Sequence, residues 1–223
     1  IVALCDKDFS NIKLKKSQKA YESIDELLEK EPLDFVDICL PHSLHFPAIQ
    51  SAVESGLDVI CEKPLVSSRE ELEKLTELHE IHPSKIITNY NYSYSPQYQL
   101  ANKVIKSDRI GFPKYINLRV DSVNTFWDKD WHSQRDVAIG GVFFDVGIHL
   151  SYLSRFLSGS DPVSVSATIK STSFPPDHLD DFGIAVYEFK NRCIAEISCT
   201  AFRDTRKSHS IRRIECERGT INI

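Results

Sequence analysis

Four short apolar runs, "IVALC", "FVDICL", "DVICE" and "KIITNYNY", punctuate residues 1–94, and amphipathic segments with clear helix signals lie between them. Ser23 with Glu26 and Ser68 with Glu71 have the spacing of capping boxes, so helices are expected over "IDELLEK" and "REELEKLTELHE". Residues 47–55 read as a further helix, with Gly56 placed to end it. Strands separated by helices of this length imply parallel pairing through right-handed crossovers, hence an open α/β sheet. The continuous apolar character of the runs implies strands covered on both faces.

After Tyr94 the pattern changes. A helix is expected over "PQYQLANKVIKS", a long strand over "KYINLRVDSV", and a helix from about Gly141 to Ser158 that Gly159 ends. From Val163 onward, "VSVSATIK", "FGIAVYEFK", "CIAEISCT" and "IRRIECE" alternate apolar and polar residues. Their short polar connections, such as Lys190-Asn191-Arg192, signal antiparallel hairpins. The chain therefore divides into a parallel α/β domain, residues 1–91, and an α+β domain with a large, mostly antiparallel sheet, residues 92–223.

Composition excludes several function classes. A net charge of -5 without long like-charge blocks gives no clustered basic face for nucleic acid. No apolar stretch approaches 18 residues, and "IVALC" runs into "DKD" too soon for a signal peptide, so no membrane partner is expected. The six cysteines include no Cys-x-x-Cys pair, and the eight histidines are scattered apart from His42 and His45. No metal site is expected, and the cysteines read as buried, reduced thiols of a cytoplasmic protein.

Open parallel sheets bind ligands beyond the carboxyl ends of their strands. Here those ends run into Asp6, into Leu40-Pro41 and the two histidines that follow, into Glu62-Lys63-Pro64, and into Asn89 to Asn91. Lys63 would thus stand at the rim of a binding crevice. In "GGVFFDVGIHL", Asp145 and His149 are four residues apart, so on one helix they share a face, where the acid can fix the tautomer of an imidazole suited to proton transfer. Gly147 between them leaves room for a flat ligand. The structural alternative for the pair is a helix packed on the sheet with a surface ion pair.

The segments "VALCDKD", "VDICLPHSLHFPAIQSAVESGLDVICEKPL", "NYNYSYSPQY" and "GGVFFDVGIHL" occur in the order seen in a known group. Together they resemble the glucose-fructose oxidoreductase, inositol dehydrogenase and rhizopine-catabolism (Gfo/Idh/MocA) family of NAD(P)-dependent oxidoreductases, over nearly the whole chain. The resemblance implies a Rossmann-type first domain and hydride transfer between a nicotinamide and a hydroxyl or ketone of a sugar, inositol or related polyol. It assigns Lys63 to the lysine that hydrogen-bonds the reacting oxygen, His149 to the acid/base and Asp145 to its acidic helper. Asp6 falls where an acid binds the adenine ribose, favouring NAD over NADP, with Lys7 next to it able to soften the choice. Leu40, Pro41, His45, Glu62, Lys63, Asn91 and Trp131 fall on cofactor-lining positions. Alternatives are a strand-ending turn for Asp6, a helix cap for His45 and ordinary packing for Trp131. A homodimer or homotetramer formed through the second sheet is also implied.

Departures from the family pattern carry information too. No Gly precedes Gly56, so the first strand with its glycine-rich phosphate loop is expected upstream of Ile1, and the second sheet is expected to continue beyond Ile223. Ser93 stands where the family has arginine, and Tyr152 where an aspartate often follows the histidine; both positions face the substrate side in the resemblance. Besides a dehydrogenase, the sequence is compatible with a catalytically silent nucleotide-binding sensor, as the yeast galactose repressor is in this superfamily, and with glycoside cleavage through transient oxidation. Retention of Lys63, Asp145 and His149 together favours the enzyme.

Overall fold

The apolar runs of residues 1–89 become parallel strands in the computed structural model, which describes residues 1–122, 131–173, 178–201 and 209–223. β1 (Ala3–Cys5) pairs with β2 (Lys19–Tyr21), while β3 (Phe35–Ile38), β4 (Asp58–Cys61) and β5 (Ile86–Thr88) form a separate sheet in that order. β2 was not legible in the sequence, because three residues flanked by polar ones show no period. The helices are α1 (Ile24–Lys30), α2 (His45–Glu54) and α3 (Arg69–Ile81). Ser23 and Ser68 cap α1 and α3 as expected, accepting from the N–H groups of Glu26 and Glu71. In the second box the Glu71 carboxylate reaches the Ser67 N–H at 2.6 Å, one residue further back than a reciprocal box requires.

Ile49, Ala52 and Val53 of α2 pack with Leu75 of α3 on Ile38, Val59 and Cys61, and this forms the core of the first unit. The sheet is not covered on both faces: Phe35 and Ile87, on the side opposite that core, are 53% and 50% exposed. The continuous apolar runs therefore overstated the burial. Gly56 ends α2 with a φ of 76°, in the left-handed region that suits glycine. α2 starts at His45 rather than near Pro47, since a 3-10 turn, His42–Leu44, leads directly into it and Pro47 sits within the first helical turn.

Residues 90–223 form the second unit. Its six strands are β6 (Pro113–Asp121), β7 (Pro162–Lys170), β8 (Phe182–Phe189), β9 (Ile194–Thr200), β10 (His209–Cys216) and β11 (Gly219–Asn222). They are ordered β11-β10-β6-β9-β8-β7, and among the described residues the β6–β9 pair is the parallel one. Val123, the end of the strand expected over "KYINLRVDSV", lies outside the described residues. Two helices, α4 (Pro96–Lys106) and α6 (Ile148–Ser158), lay Tyr98, Ala101, Ile105, Leu150, Leu153 and Leu157 on one sheet face, against Ile116, Leu118, Ala185, Ala195, Ile197 and Ile214. The opposite face carries Tyr115, Asn117 and Glu196, joined by hydrogen bonds of 3.0–3.2 Å. This is the in/out alternation of a sheet with one buried side.

The helix expected from Gly141 to Ser158 is not uniformly α-helical. After a short α5 (Arg135–Ala138), residues Phe143–Gly147 form a π-helical turn that continues into α6. The stretch Arg135–Ser158 contains an 18-residue window that is, by length and composition alone, apolar enough to cross a bilayer. In this unit its Leu150, Leu153 and Leu157 are spent on the core.

The start of the π turn is held by a single distant residue. Asp180, just before β8, accepts from the Gly141 and Phe143 N–H groups through its carboxylate, each at 2.8 Å, and from Val142 N–H through its carbonyl at 2.9 Å. Three of the orphan donors of a helix N-terminus are thereby satisfied. The approach is possible only at glycine: a Cβ on Gly141 would lie 2.0 Å from the Asp180 carbonyl oxygen. Next to it, the Asp181 carboxylate accepts from Thr172 and Ser173 at 2.7–2.9 Å, closing the base of the β7–β8 connection. Burial alone would raise the Asp181 pKa, but these donors outweigh it and hold the carboxyl below its ordinary 3.8.

Gly141→Ala should therefore cost about 3 kcal/mol in urea unfolding, whereas Gly159→Ala, with a φ of 63° and nothing within 4 Å, should cost about 1 kcal/mol. Asp181→Asn should cost about 2 kcal/mol at neutral pH. Because the folded pKa is depressed, the Asp181 contribution is complete above 3.8 and fades as pH falls through the lowered folded value. Unfolding free energies of wild type and Asp181→Asn, measured across that acid range, should accordingly converge.

Candidate functional site

In the first unit the candidate residues gather where parallel strands end. Backbone pairing runs one residue beyond the strands: Glu62 N–H donates to Ile38 O at 2.9 Å, and Asn89 N–H to Cys61 O at 2.8 Å. Side chains then take over. The Asn89 amide donates to Glu62 Oε1 at 2.6 Å, and the other Glu62 oxygen lies 3.4 Å from the Lys63 N–H. Ser67 Oγ donates to His42 O at 3.1 Å, tying the loop after β4 to the loop after β3. The Lys63–Pro64 peptide is cis, Pro64 is buried and Lys63 is half-buried.

His45 completes this arrangement in a way the sequence did not indicate. Its ring is fully buried, with Nδ1 2.6 Å from Pro64 O and Nε2 2.7 Å from Leu40 O. It does not cap α2: the N-cap residue is Leu44, and the imidazole nitrogens are directed at two loop carbonyls instead. Leu40 and Pro41 are partly open to solvent at the end of β3, Leu40 at 37%. Asp6 is exposed just beyond β1, its N–H bonded to Tyr21 O at 3.0 Å and its Oδ1 accepting from Asp8 N–H at 3.0 Å.

In the second unit, Asp145 lies in the π turn and His149 in the first turn of α6. The wider π turn alters the register between them relative to a plain α-helix. The half-buried imidazole stacks on Tyr92, ring centroids 4.9 Å apart and 27° between planes, and Tyr92 in turn stacks on Tyr98 at 5.7 Å. Tyr92 was missed by sequence reasoning, although it directly follows the exposed Asn91, a predicted site residue. Gly147 does not leave room for a ligand. It is buried, and a Cβ there would meet the Phe143 ring at 3.1 Å and Cys199 Sγ at 3.3 Å, so the space serves the close packing of the π turn on β9. Burial, together with the carboxylates of Asp180, Asp121 and Asp145, pushes the Cys199 thiol up to about 12. Trp131, in the 3-10 turn Trp131–Ser133, stacks on His132 at 3.8 Å.

The two departures from the family pattern are engaged within this unit. Ser93 is 5% exposed, and its hydroxyl donates to Tyr90 O at 2.9 Å within its own 3-10 turn, so it presents no group outward. Tyr152 stacks face to face on Tyr90, 4.2 Å between centroids and 4° between planes. Burial, then the neighbouring Tyr152, raises the Tyr90 pKa. Two adjoining clefts of about 460 and 350 Å³ share Gly140, Ile169 and Asp180 in their walls; Asp145 and His149 do not line them.

Among the described residues no group of three potential ligands could hold a metal ion. For a dinucleotide the donor chemistry of the first unit is suitable at one end. An exposed carboxylate follows β1, an apolar Leu40-Pro41 wall follows β3, and an ammonium and a carboxylate follow β4. A glycine-rich phosphate turn is not part of residues 1–55.

Comparison with known proteins agrees with this architecture. Residues 1–90 match the oxidoreductase family with an NAD-binding Rossmann fold, and residues 98–222 match the GFO/IDH/MocA C-terminal domain. The D-xylose 1-dehydrogenase (NADP(+)) of Haloarcula marismortui is 28% identical over 185 residues, 81% of this chain and 51% of that protein. The inositol 2-dehydrogenase of Rhizobium meliloti is 28% identical over 146 residues, 66% of this chain and 43% of that one. The chain thus spans about half the length of the curated relatives it matches. Its fold is shared with GenD2 from gentamicin A biosynthesis in complex with NAD, with a TM-score of 0.87 at 19% identity over 100% of this chain and 64% of that one. It is shared also with the myo-inositol 2-dehydrogenase of Lactobacillus plantarum, with a TM-score of 0.85 at 21% identity over 100% and 68%. An NAD-binding Rossmann unit followed by the matching C-terminal unit makes this chain a member of the GFO/IDH/MocA oxidoreductase family.

Proposed function

We propose that the protein is an NAD(P)-dependent dehydrogenase that oxidises a hydroxyl of a sugar, inositol or related polyol, or reduces the corresponding ketone. The observation that carries this reading is the fixation of Lys63 at the carboxyl end of β4 in an NAD-binding domain. Its loop is bonded to the neighbouring strand ends through Glu62, Pro64 and Ser67. The nicotinamide, when bound, accepts or returns the hydride.

The chain supplies the rest of the chemistry. Lys63 donates a hydrogen bond to the reacting oxygen and stabilises the alkoxide character that develops as the hydride leaves. His149 takes the hydroxyl proton, and Asp145 orients its ring. Asp6 accepts from the adenine ribose hydroxyls and disfavours a 2'-phosphate, while Leu40, Pro41, Glu62, Asn91 and Trp131 line the cofactor. The family match and the similarity to the D-xylose and inositol dehydrogenases support this class of substrate. A cytoplasmic, homo-oligomeric enzyme is part of the same reading; of the six free cysteines Cys61, Cys193 and Cys199 are buried as expected, whereas Cys39 is exposed and Cys5 and Cys216 are half-buried.

A second reading, a nucleotide-binding sensor without turnover, draws on Ser93 being turned inward and Tyr152 being packed on Tyr90, where the family pattern has charged groups. The two readings separate in one assay with the complete protein, NAD or NADP, and a panel of polyols and sugars, followed at the NADH absorbance band. The dehydrogenase should show turnover, and Lys63→Ala and His149→Asn should each lower kcat by about a hundredfold or more. Tight nucleotide binding without turnover on any substrate would replace the enzyme with the sensor.

A further inference from the structure

We infer that His45, although it reaches neither solvent nor any ligand-accessible surface of its unit, is a positioning residue for Lys63, acting through the backbone of Pro64. The inference rests on the dehydrogenase reading for its kinetic consequence, but its structural basis is independent of it. His45 is 0% exposed, so direct contact with a cofactor, the role its sequence position suggested, is not available to it.

Its two ring nitrogens span the loops that follow β3 and β4. Nδ1 meets Pro64 O at 2.6 Å and Nε2 meets Leu40 O at 2.7 Å. A carbonyl oxygen can only accept, so each contact is a hydrogen bond when the ring nitrogen facing it carries the proton, and the ring spans both loops in either tautomer. The Pro64 carbonyl is one residue from Lys63, which has Glu62 and its Asn89 bond on the other side. Lys63 is therefore held from both directions: Glu62–Asn89 fixes the strand end before it, and His45 fixes the loop after it. The Ser67–His42 bond closes the same loop three residues further on. Removing the imidazole takes away the ring contact of the Pro64 carbonyl, which is buried, and that of the Leu40 carbonyl, which is part-buried, and frees the segment after Lys63, while the segment before it stays paired.

The test uses the complete protein as wild type, His45→Phe, His45→Gln, Lys63→Ala and the two double variants. The first readout is the acylation rate of the Lys63 ammonium by a small amine-reactive reagent, followed by peptide mass spectrometry. Lys85, exposed at the start of β5 and 3.8 Å from Asp58, serves as the internal reference. The second is kcat, with the KM for NAD recorded separately.

If His45 positions Lys63, His45→Phe raises Lys63 labelling about threefold or more relative to Lys85 and lowers kcat about tenfold, with a much smaller change in KM. The kcat loss then disappears in the Lys63→Ala background, because residues that act as one unit are not additive. His45→Gln, whose donors sit on a single nitrogen and so serve one of the two carbonyls, falls between. A folded His45→Phe protein with unchanged Lys63 labelling, or kcat losses that add fully in the double variant, overturns the role. If His45→Phe does not fold, His45→Gln decides by the same readouts. If wild type turns over no substrate, the dehydrogenase reading fails, while the labelling comparison still decides whether His45 holds Lys63.

Discussion

A parallel sheet brings the carboxyl ends of its strands to one edge, and the loops that leave it carry backbone groups that the ladder no longer satisfies. In the first unit this constraint is met within a few residues of chain. One further ladder bond follows each of two strands, and then side chains reach backbone groups: Glu62 the Lys63 N–H, Ser67 the His42 carbonyl, and His45 the Leu40 and Pro64 carbonyls, with Asn89 bonded to the Glu62 carboxylate. The side chains that meet this need are the ones that determine where Lys63 stands. Fold and site are thus one problem here: the polar residues at the strand ends cannot be assigned to stability or to chemistry alone.

The second unit reaches a comparable result by close approach rather than by polar bridging. The π turn rests on β8 and β9 because Gly141, Gly147 and Gly183 have no side chains where Asp180, Cys199 and the Phe143 ring must pass. Adding a Cβ at Gly183 would place it 2.1 Å from that ring. A turn wider than the α-helix needs its extra residue accommodated, and π turns persist where surrounding contacts stabilise them. Asp180 supplies such contacts from another part of the chain, satisfying three N–H groups that no residue of the helix itself caps. The direction in which His149 leaves the helix follows from that anchoring and from the Tyr92 ring stacked on it.

Much of this was legible in the sequence because it depends on local signals. The capping serines, the glycine after α2, the alternation in β8 and β9 and the hairpin at Lys190-Asn191-Arg192 are short-range chemistry, and each appears where the pattern placed it. Features set by tertiary approach were not legible. The π turn has the same apolar spacing as an α-helix, β2 is too short to show a period, and the open face of β3 and β5 cannot be inferred from runs that look buried. The same limit applied to the site. Lys63, Asp145 and His149 stood out as chemistry-bearing residues in a pattern, whereas the strap made by His45, the stack made by Tyr92 and the cap made by Asp180 join residues 19, 57 and 37–39 positions apart.

The two departures from the family pattern bear most on the proposed substrate. Discrimination is strongest when a site holds buried polar groups that the wrong substrate leaves unpaired, and weak when it depends on shape. Ser93 spends its hydroxyl on its own turn, and Tyr152 spends its ring face on Tyr90, so neither provides the charge that an arginine or aspartate would bring. The Tyr90 phenol, whose pKa burial and then Tyr152 raise from the ordinary value, likewise brings no charge at neutral pH. In the proposed dehydrogenase the Ser93 and Tyr152 positions therefore offer a self-satisfied hydroxyl and an aromatic stack in place of charge, which weakens discrimination that depends on them.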